Sequence, residues 1–335
     1  MQYTYLGRTG LKVSRLCLGT MNFGPLTDEK EAFRIMDEAL DNGINFFDTA
    51  NMYGSFLCDN GHHGWTEEII GRWFKLGGGR RDKVILATKL YLPMEDADGL
   101  GANDSNGLSA YKIKKNLEGS LRRMQTDHIE LFQMHRAERR TPWEEMWGAY
   151  ESAVNDGKIC YVGSSNFEAY DLCKAQWAAD KRNFLGLVSE QHCYNLLTRR
   201  CEQELLPAAQ ELGIGIIVWS PLSQGMLGGN ALKNWEEKTR RAVGGGTAEF
   251  DEKTKQKLIQ FSALCEKIGE KEADVALAWL LHQPAVTCPI IGPRTIEHLR
   301  RNLPAVDIKL SQETLDELDQ IFPKVGPIPE GEIIL

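Results

Sequence analysis

Short runs rich in Val, Ile and Leu alternate along this chain with longer segments whose apolar residues recur at helical spacing. Strands buried on both faces read as continuous apolar runs, and amphipathic helices repeat near 3.6 residues, so the alternation is that of repeated βα units. The strand candidates are Arg15–Leu18, Ile44–Thr49, Val84–Lys89, Ile129–His135, Cys160–Ser165, Gly186–Gln191, Gly215–Ser220 and Val286–Gly292. Helices fit Asp28–Asn42, Thr66–Phe74, Ser109–Met124, Pro142–Asn155, Glu168–Asp180, Glu202–Leu212, an extended region Asp251–His282, and Thr295–Asn302. Thr66-Glu67-Glu68 and Thr141-Pro142 carry the residue types of helix starts. Tyr3–Val13, with Gly-Arg-Thr-Gly at its turn, reads as a hairpin that could close a barrel floor. Ser311–Phe322 reads as a last amphipathic helix.

Eight βα units predict an α/β fold, a (β/α)8 TIM barrel with an N-terminal β-hairpin and an extra C-terminal helix, forming one domain over residues 1–335. An open doubly wound sheet shows the same alternation, but dinucleotide-binding sheets of that kind carry G-x-G-x-x-G after the first strand. Neither that motif nor a Walker A loop occurs. Pro93–Gly107 and Ser223–Phe250 are too long for simple connectors, which makes each a candidate lid.

Composition narrows the function classes. Charged residues at 26% and hydrophobic ones at 42% are ordinary globular values. A net charge of −8 argues against nucleic-acid or membrane partners, while leaving room for a local basic pocket that holds one phosphate. Eight cysteines without a CxxC pair, and an N-terminus without a charged-then-apolar leader, predict reduced thiols and a cytoplasmic location. No apolar run approaches the ~20 residues of a membrane span.

Barrel enzymes place their catalytic groups at the C-terminal ends of the strands, where the βα loops form one open face. Asp48, Lys89, His135, Ser165, Gln191 and Ser220 end the second to seventh predicted strands, and Arg294 lies just past the eighth. Any one of them is an ordinary cap or solvated tip. Together they converge on one face, where an unpaired buried charge is costly, and a catalytic centre is the simpler explanation.

The runs Phe47-Asp48-Thr49-Ala50 with Tyr53-Gly54, Ala87-Thr88-Lys89, Gln133-Met134-His135, Gly163-Ser164-Ser165-Asn166-Phe167 and Trp219-Ser220-Pro221-Leu222 resemble an aldo-keto reductase, in that family's order and over nearly the whole chain. The resemblance implies NADPH-dependent reduction of an aldehyde or ketone, a keto-sugar among the candidates. Such a reaction needs an acid beside the nicotinamide, and Tyr53 is the candidate. A free phenol titrates near pH ~10, so a neighbouring cation is required to favour phenolate; Lys89 is that cation and Asp48 its counter-charge. His135 would orient the carbonyl and support developing negative charge.

The same resemblance implies the cofactor contacts. Thr20, Met21 and Asp48 are among them; Ser165, Asn166 and Gln191 would hold the nicotinamide carboxamide, with Trp219 stacked on its ring. Ser220, Pro221, Leu222, Gln224 and Gly225 follow the seventh strand, where barrels bind phosphate. Gly292, Arg294, His298 and Asn302 fall to the adenosine end, with Arg294 poised for the 2′-phosphate, which predicts NADPH rather than NADH. Two residues depart from the family pattern: His298 stands where Gln is usual, and Arg301 where many members carry an acid. Arg240 or Arg241 could add a phosphate contact or simply face solvent.

No metal is expected, because Cys58, Asp59, His62 and His63 lie together without a matching partner run. Ser55–Trp65 is expected to line the substrate entrance, with Trp65, Tyr91 and Phe23 as apolar walls. The expected partner is a small carbonyl substrate, and assembly into a homo-oligomer is compatible with the sequence. Two alternatives stand beside reduction. One is an NADPH-binding regulatory subunit resembling potassium-channel β subunits, which differ at the position of His135. The other is a barrel aldolase or isomerase with Lys89 as a Schiff-base amine.

Overall fold

The computed structural model describes residues 1–94, 99–229 and 251–327. Strands β1 (Tyr3–Tyr5) and β2 (Lys12–Ser14) form an antiparallel hairpin. Eight parallel strands then close a barrel: β3 (Cys17–Gly19), β4 (Phe46–Asp48), β5 (Ile85–Leu90), β6 (Ile129–Met134), β7 (Ile159–Ser165), β8 (Leu187–Cys193), β9 (Gly215–Trp219) and β10 (Val286–Ile291). Closure is made by β10 pairing with both β9 and β3. Each predicted strand falls on an observed one, because a strand buried on both faces leaves an unmistakable apolar run.

Around the barrel lie α1 (Glu29–Asp41), α2 (Trp65–Lys75), α3 (Ala110–Met124), α4 (Trp143–Asn155), α5 (Ala169–Asp180) and α6 (Leu205–Glu211). They are followed by α7 (Glu252–Ile268), α8 (Glu272–His282), α9 (Ile296–Asn302) and the C-terminal α10 (Gln312–Ile321). Asp28, Ser109, Asp251, Thr295 and Ser311 cap α1, α3, α7, α9 and α10 through side-chain oxygens. Among the described residues, no helix is long and apolar enough to cross a membrane.

The helix boundaries differ from expectation at several places. The region Asp251–His282 is two helices, because Gly269 takes a left-handed conformation (φ 74°) and ends α7. Glu202–Leu212 begins as a 3₁₀ turn at Arg200–Glu202, and only then does α6 start. The Glu202 carboxylate is engaged there by Tyr194 Oη at 2.7 Å and Arg199 Nε at 2.6 Å. Thr66 does not cap α2: Gly64 is at the N-cap, and the Thr66 hydroxyl donates to the Phe23 carbonyl at 3.1 Å. Pro142 is itself the N-cap residue of α4 and supplies no side-chain bond.

The hairpin seals the bottom of the barrel. Leu6 and Val13 pack against Cys17, Phe46, Ala87, Leu131, Val188, Ile217 and Cys288, all fully buried inside the strands. Its turn needs Gly7, whose φ is +54° and whose place leaves no room for a side chain: a Cβ would lie 2.4 Å from the Val188 carbonyl.

Candidate active site

Side chains alternate along a strand, so the inward positions of the barrel continue upward two residues at a time. Above Phe46 comes Asp48, above Ala87 comes Lys89, and above Leu131 come Gln133 and then His135. The change from apolar to polar thus occurs in one layer.

Lys89 is fully buried, and its Nζ donates to Asp48 Oδ2 at 2.6 Å, the Thr49 carbonyl at 2.7 Å and Tyr53 Oη at 3.0 Å. An ammonium has three protons, and all three are used. Burial alone pushes Lys89 down, yet Asp48 and Tyr53 outweigh it and hold the amine above its ordinary value, so it stays charged. Asp48 Oδ1 accepts from Gln191 Nε2 at 2.8 Å and Gln133 Nε2 at 3.1 Å. The carboxylate is therefore bonded on both oxygens, which is what makes a buried ion pair tolerable.

His135 stands edge-on to Tyr53, with ring centroids 6.1 Å apart. Burial first, then the charges of Lys89 and Arg136, drop its pKa to about 3, so the imidazole is neutral at physiological pH. Its Nδ1 is buried without a hydrogen-bond partner.

A cleft of about 640 Å³ opens above this centre. Tyr53, Asp48 and His135 line it, while Lys89 lies behind them. All of Thr20, Met21, Ser165, Asn166, Gln191, Trp219, Ser220, Pro221, Leu222, Gln224, Gly225, Gly292, Arg294, His298 and Asn302 line the same cleft. Residues scattered over the whole chain are thereby brought to one wall. Burial, then Arg294 and Arg301, push His298 down.

The turn after β7 is locked from beneath. Buried Glu190 accepts from Phe167 N at 3.0 Å and Ser164 Oγ at 2.5 Å, and Asn166 (φ 60°) reaches the His135 carbonyl at 3.1 Å. After β9, Ser220, Ser223 and Gln224 have φ of 53°, 48° and 57°. Non-glycine residues held there store about 1 kcal/mol or more each, a strain that concentrates at ligand-binding loops. Trp219 Nε1 and Asn22 Oδ1 are buried and unpartnered at the cleft wall.

The expected apolar walls are displaced. Phe23 lies in the core, Trp65 stacks on His62 with centroids 5.3 Å apart, and Tyr91 packs against the core. The cleft is walled instead by Met52, by Leu92 and, from the expected Ser55–Trp65 segment, by Phe56. These sit in loops, where no period marks the facing side. Of the candidate lids, the described part of Pro93–Gly107 has Met94 N bonded to the Asp104 carboxylate at 3.0 Å, and none of its described residues lines the cleft. From Ser223–Phe250, Gln224, Gly225 and Gly228 line the cleft; residues 230–250, with Arg240 and Arg241, lie outside the described residues. His62 meets Glu68 at 3.3 Å.

Sequence reasoning missed Gln133, Asn22 and Arg136. Gln133 was visible as a polar residue at an inward position of a buried strand, two places before His135.

The model of the Aldo/keto reductase family matches residues 15–322, and the chain belongs to that family. It is 60% identical to the uncharacterized oxidoreductase YrpG of Bacillus subtilis over 97% of each chain. It is 32% identical to a probable voltage-gated potassium channel subunit beta of Arabidopsis thaliana over 99% of each chain. It is 30% identical to the versiconal hemiacetal acetate reductase of Aspergillus parasiticus, over 96% of this chain and 97% of that one.

Proposed function

We propose that the protein is a cytoplasmic NADPH-dependent reductase that converts an aldehyde or ketone to the alcohol, with Tyr53 as the general acid. The observation that carries this reading is the Lys89 ammonium, 2.6 Å from Asp48 and 3.0 Å from the Tyr53 hydroxyl at the base of a cleft.

The residues present fit a nicotinamide dinucleotide. Trp219 offers a flat indole face at the catalytic end, and its unpartnered Nε1, like Asn22 Oδ1, marks a wall that awaits a polar ligand. The strained Ser220–Gly225 turn can present backbone N–H groups to the pyrophosphate. Ser165, Asn166 and Gln191 would hold the carboxamide, and Arg294 the 2′-phosphate. When bound, the nicotinamide supplies the hydride.

The chain's own residues would handle the proton. Tyr53 Oη gives its proton to the carbonyl oxygen as that oxygen becomes an alkoxide, and Lys89 stabilises the phenolate left behind. Neutral His135, with Nδ1 buried, would use Nε2–H to orient the carbonyl. A Schiff base on Lys89 is disfavoured, since the amine is charged, fully buried and bonded three times over.

The test is a panel of carbonyl compounds assayed with NADPH and NADH in parallel, repeated for Arg294→Ala. Turnover with NADPH is expected, and Arg294→Ala should lower the NADPH-to-NADH preference by about 10- to 100-fold, the worth of a charge-assisted hydrogen bond. An unchanged preference would remove the 2′-phosphate assignment. Binding of NADPH without reduction of any compound would favour a regulatory subunit, the reading suggested by the potassium-channel relatives.

A further inference from the structure

The acceptor end of the cleft contains a cation that the chemistry above leaves unused. Arg136 follows His135 at the end of β6, is exposed, and lines the cleft with Met52, Phe56 and Leu92. Among the described residues it makes no hydrogen bond and no ion pair. In this acidic chain Arg72, Arg80, Arg81, Arg123 and Arg182 are, by contrast, each matched to a carboxylate.

Its position separates it from the other cleft arginines. Arg294 and Arg301 follow β10, and β6 lies four strands from β10 around an eight-stranded barrel, which is the opposite side. A ligand phosphate held by Arg294 is therefore out of its reach. The one acidic residue among the described lining, Asp48, is already matched by Lys89. On the acceptor side, the cleft thus presents one unmatched positive charge beside an apolar wall.

We infer that Arg136 selects carbonyl substrates that carry an anionic oxyacid group, a carboxylate above all, on a compact apolar body; this rests on the reduction proposed above. Met52, Phe56 and Leu92 would cover the body, His135 and Tyr53 the carbonyl oxygen, and the guanidinium fork the anion. The −8 net charge works against this selection at long range, so the preference must be local and requires the guanidinium itself.

The experiment compares 4-carboxybenzaldehyde with methyl 4-formylbenzoate, a neutral partner of similar shape, for the wild type, Arg136→Gln and Arg136→Lys. Calorimetric titration of the corresponding alcohols in the presence of NADPH gives a readout that needs no turnover. The wild type should prefer the carboxylate about tenfold, both in kcat/KM and in affinity. In Arg136→Gln that ratio should fall to about one, and Arg136→Lys should keep part of it. Equal affinity for the two alcohols in the wild type, or the same ratio in Arg136→Gln, overturns the inference. A loss of kcat shared equally by both aldehydes also overturns it, because Arg136 would then act on the alkoxide rather than the tail. Preference for the anion in calorimetry, with neither aldehyde reduced, sinks the reduction reading and leaves Arg136 as an anion site.

Discussion

The floor and the mouth of the barrel are built from the same strands, two residues apart, and obey opposite rules. At the floor, Phe46, Ala87 and Leu131 meet Leu6 and Val13 in a buried apolar cluster. At the mouth, Asp48, Lys89 and Gln133 occupy the next inward positions and carry a buried ion pair with every proton of the ammonium used. Burying an ion pair gains little stability over an apolar filling, because desolvation offsets the attraction. The difference teaches that the floor supports the fold, whereas the polar mouth gains the fold little, which is the contrast expected if its polarity serves the proposed reaction.

The strongest way to break this contrast is Tyr53→Phe. It removes one hydroxyl at the mouth while the Asp48–Lys89 pair stays closed. Turnover should fall on the order of 10³-fold, about 4 kcal/mol of barrier, since a positioned acid contributes roughly 10² to 10⁴. NADPH binding, followed by tryptophan fluorescence, and the unfolding midpoint should both hold. A variant that unfolds, or one that retains turnover, would place Tyr53 among the structural residues.

Phe46→Ala asks the converse at the floor. Phe46 is fully buried, and truncating a core aromatic costs about 3 to 5 kcal/mol through lost transfer energy and the cavity left behind. Denaturant unfolding should show that loss, with kcat/KM per folded molecule changed by about twofold at most. A collapse of activity at unchanged stability would mean that the floor sets the geometry of the mouth, and the separation would fail.

The same contrast explains what could be read from the sequence. The eight strands were legible because both faces are buried, and Asp48, Lys89 and His135 because ionisable residues stand where those strands end, with Tyr53 marked by its place shortly after Asp48. The apolar wall of the cleft was not: Met52, Phe56 and Leu92 lie in loops without period, and nothing in the sequence separates them from Trp65, which stacks on His62, or from Tyr91, which packs on the core. The break within Asp251–His282 is masked because the apolar spacing continues past Gly269, whose left-handed backbone ends α7 before extended Lys271 opens α8.

A smaller effect sharpens the contrast by pH. His135 has an ordinary value of 6.5 and a folded one of about 3, depressed first by burial and then by Lys89 and Arg136. Between those values the unfolded chain binds the proton and the folded chain does not, so stability present above pH ~6.5 is lost as pH falls toward ~3. His135→Asn lacks this linkage. Comparing urea unfolding at pH 7 and pH 5, the wild type should lose about 2 kcal/mol relative to the variant. A difference that does not change with pH would mean that His135 takes up its proton in the folded state, and a neutral donor beside Tyr53 would have to be given up.

The smallest prediction sits on the boundary itself. Gln133 lies between floor residue Leu131 and mouth residue His135, and Gln133→Leu moves the apolar layer up by one position. It removes one of the two amide donors to Asp48 Oδ1 and leaves Gln191 at 2.8 Å as the other. A hydrogen bond to a charged group is worth roughly 1.5 kcal/mol or more, so kcat should fall about tenfold as Asp48 loosens its hold on Lys89. Gln133 does not line the cleft, so the NADPH Kd should stay fixed, and the added apolar burial should offset most of the lost bond in stability. If kcat does not move, one amide suffices to hold Asp48, and the catalytic part of the mouth begins a layer higher than the hydrogen bonds suggest.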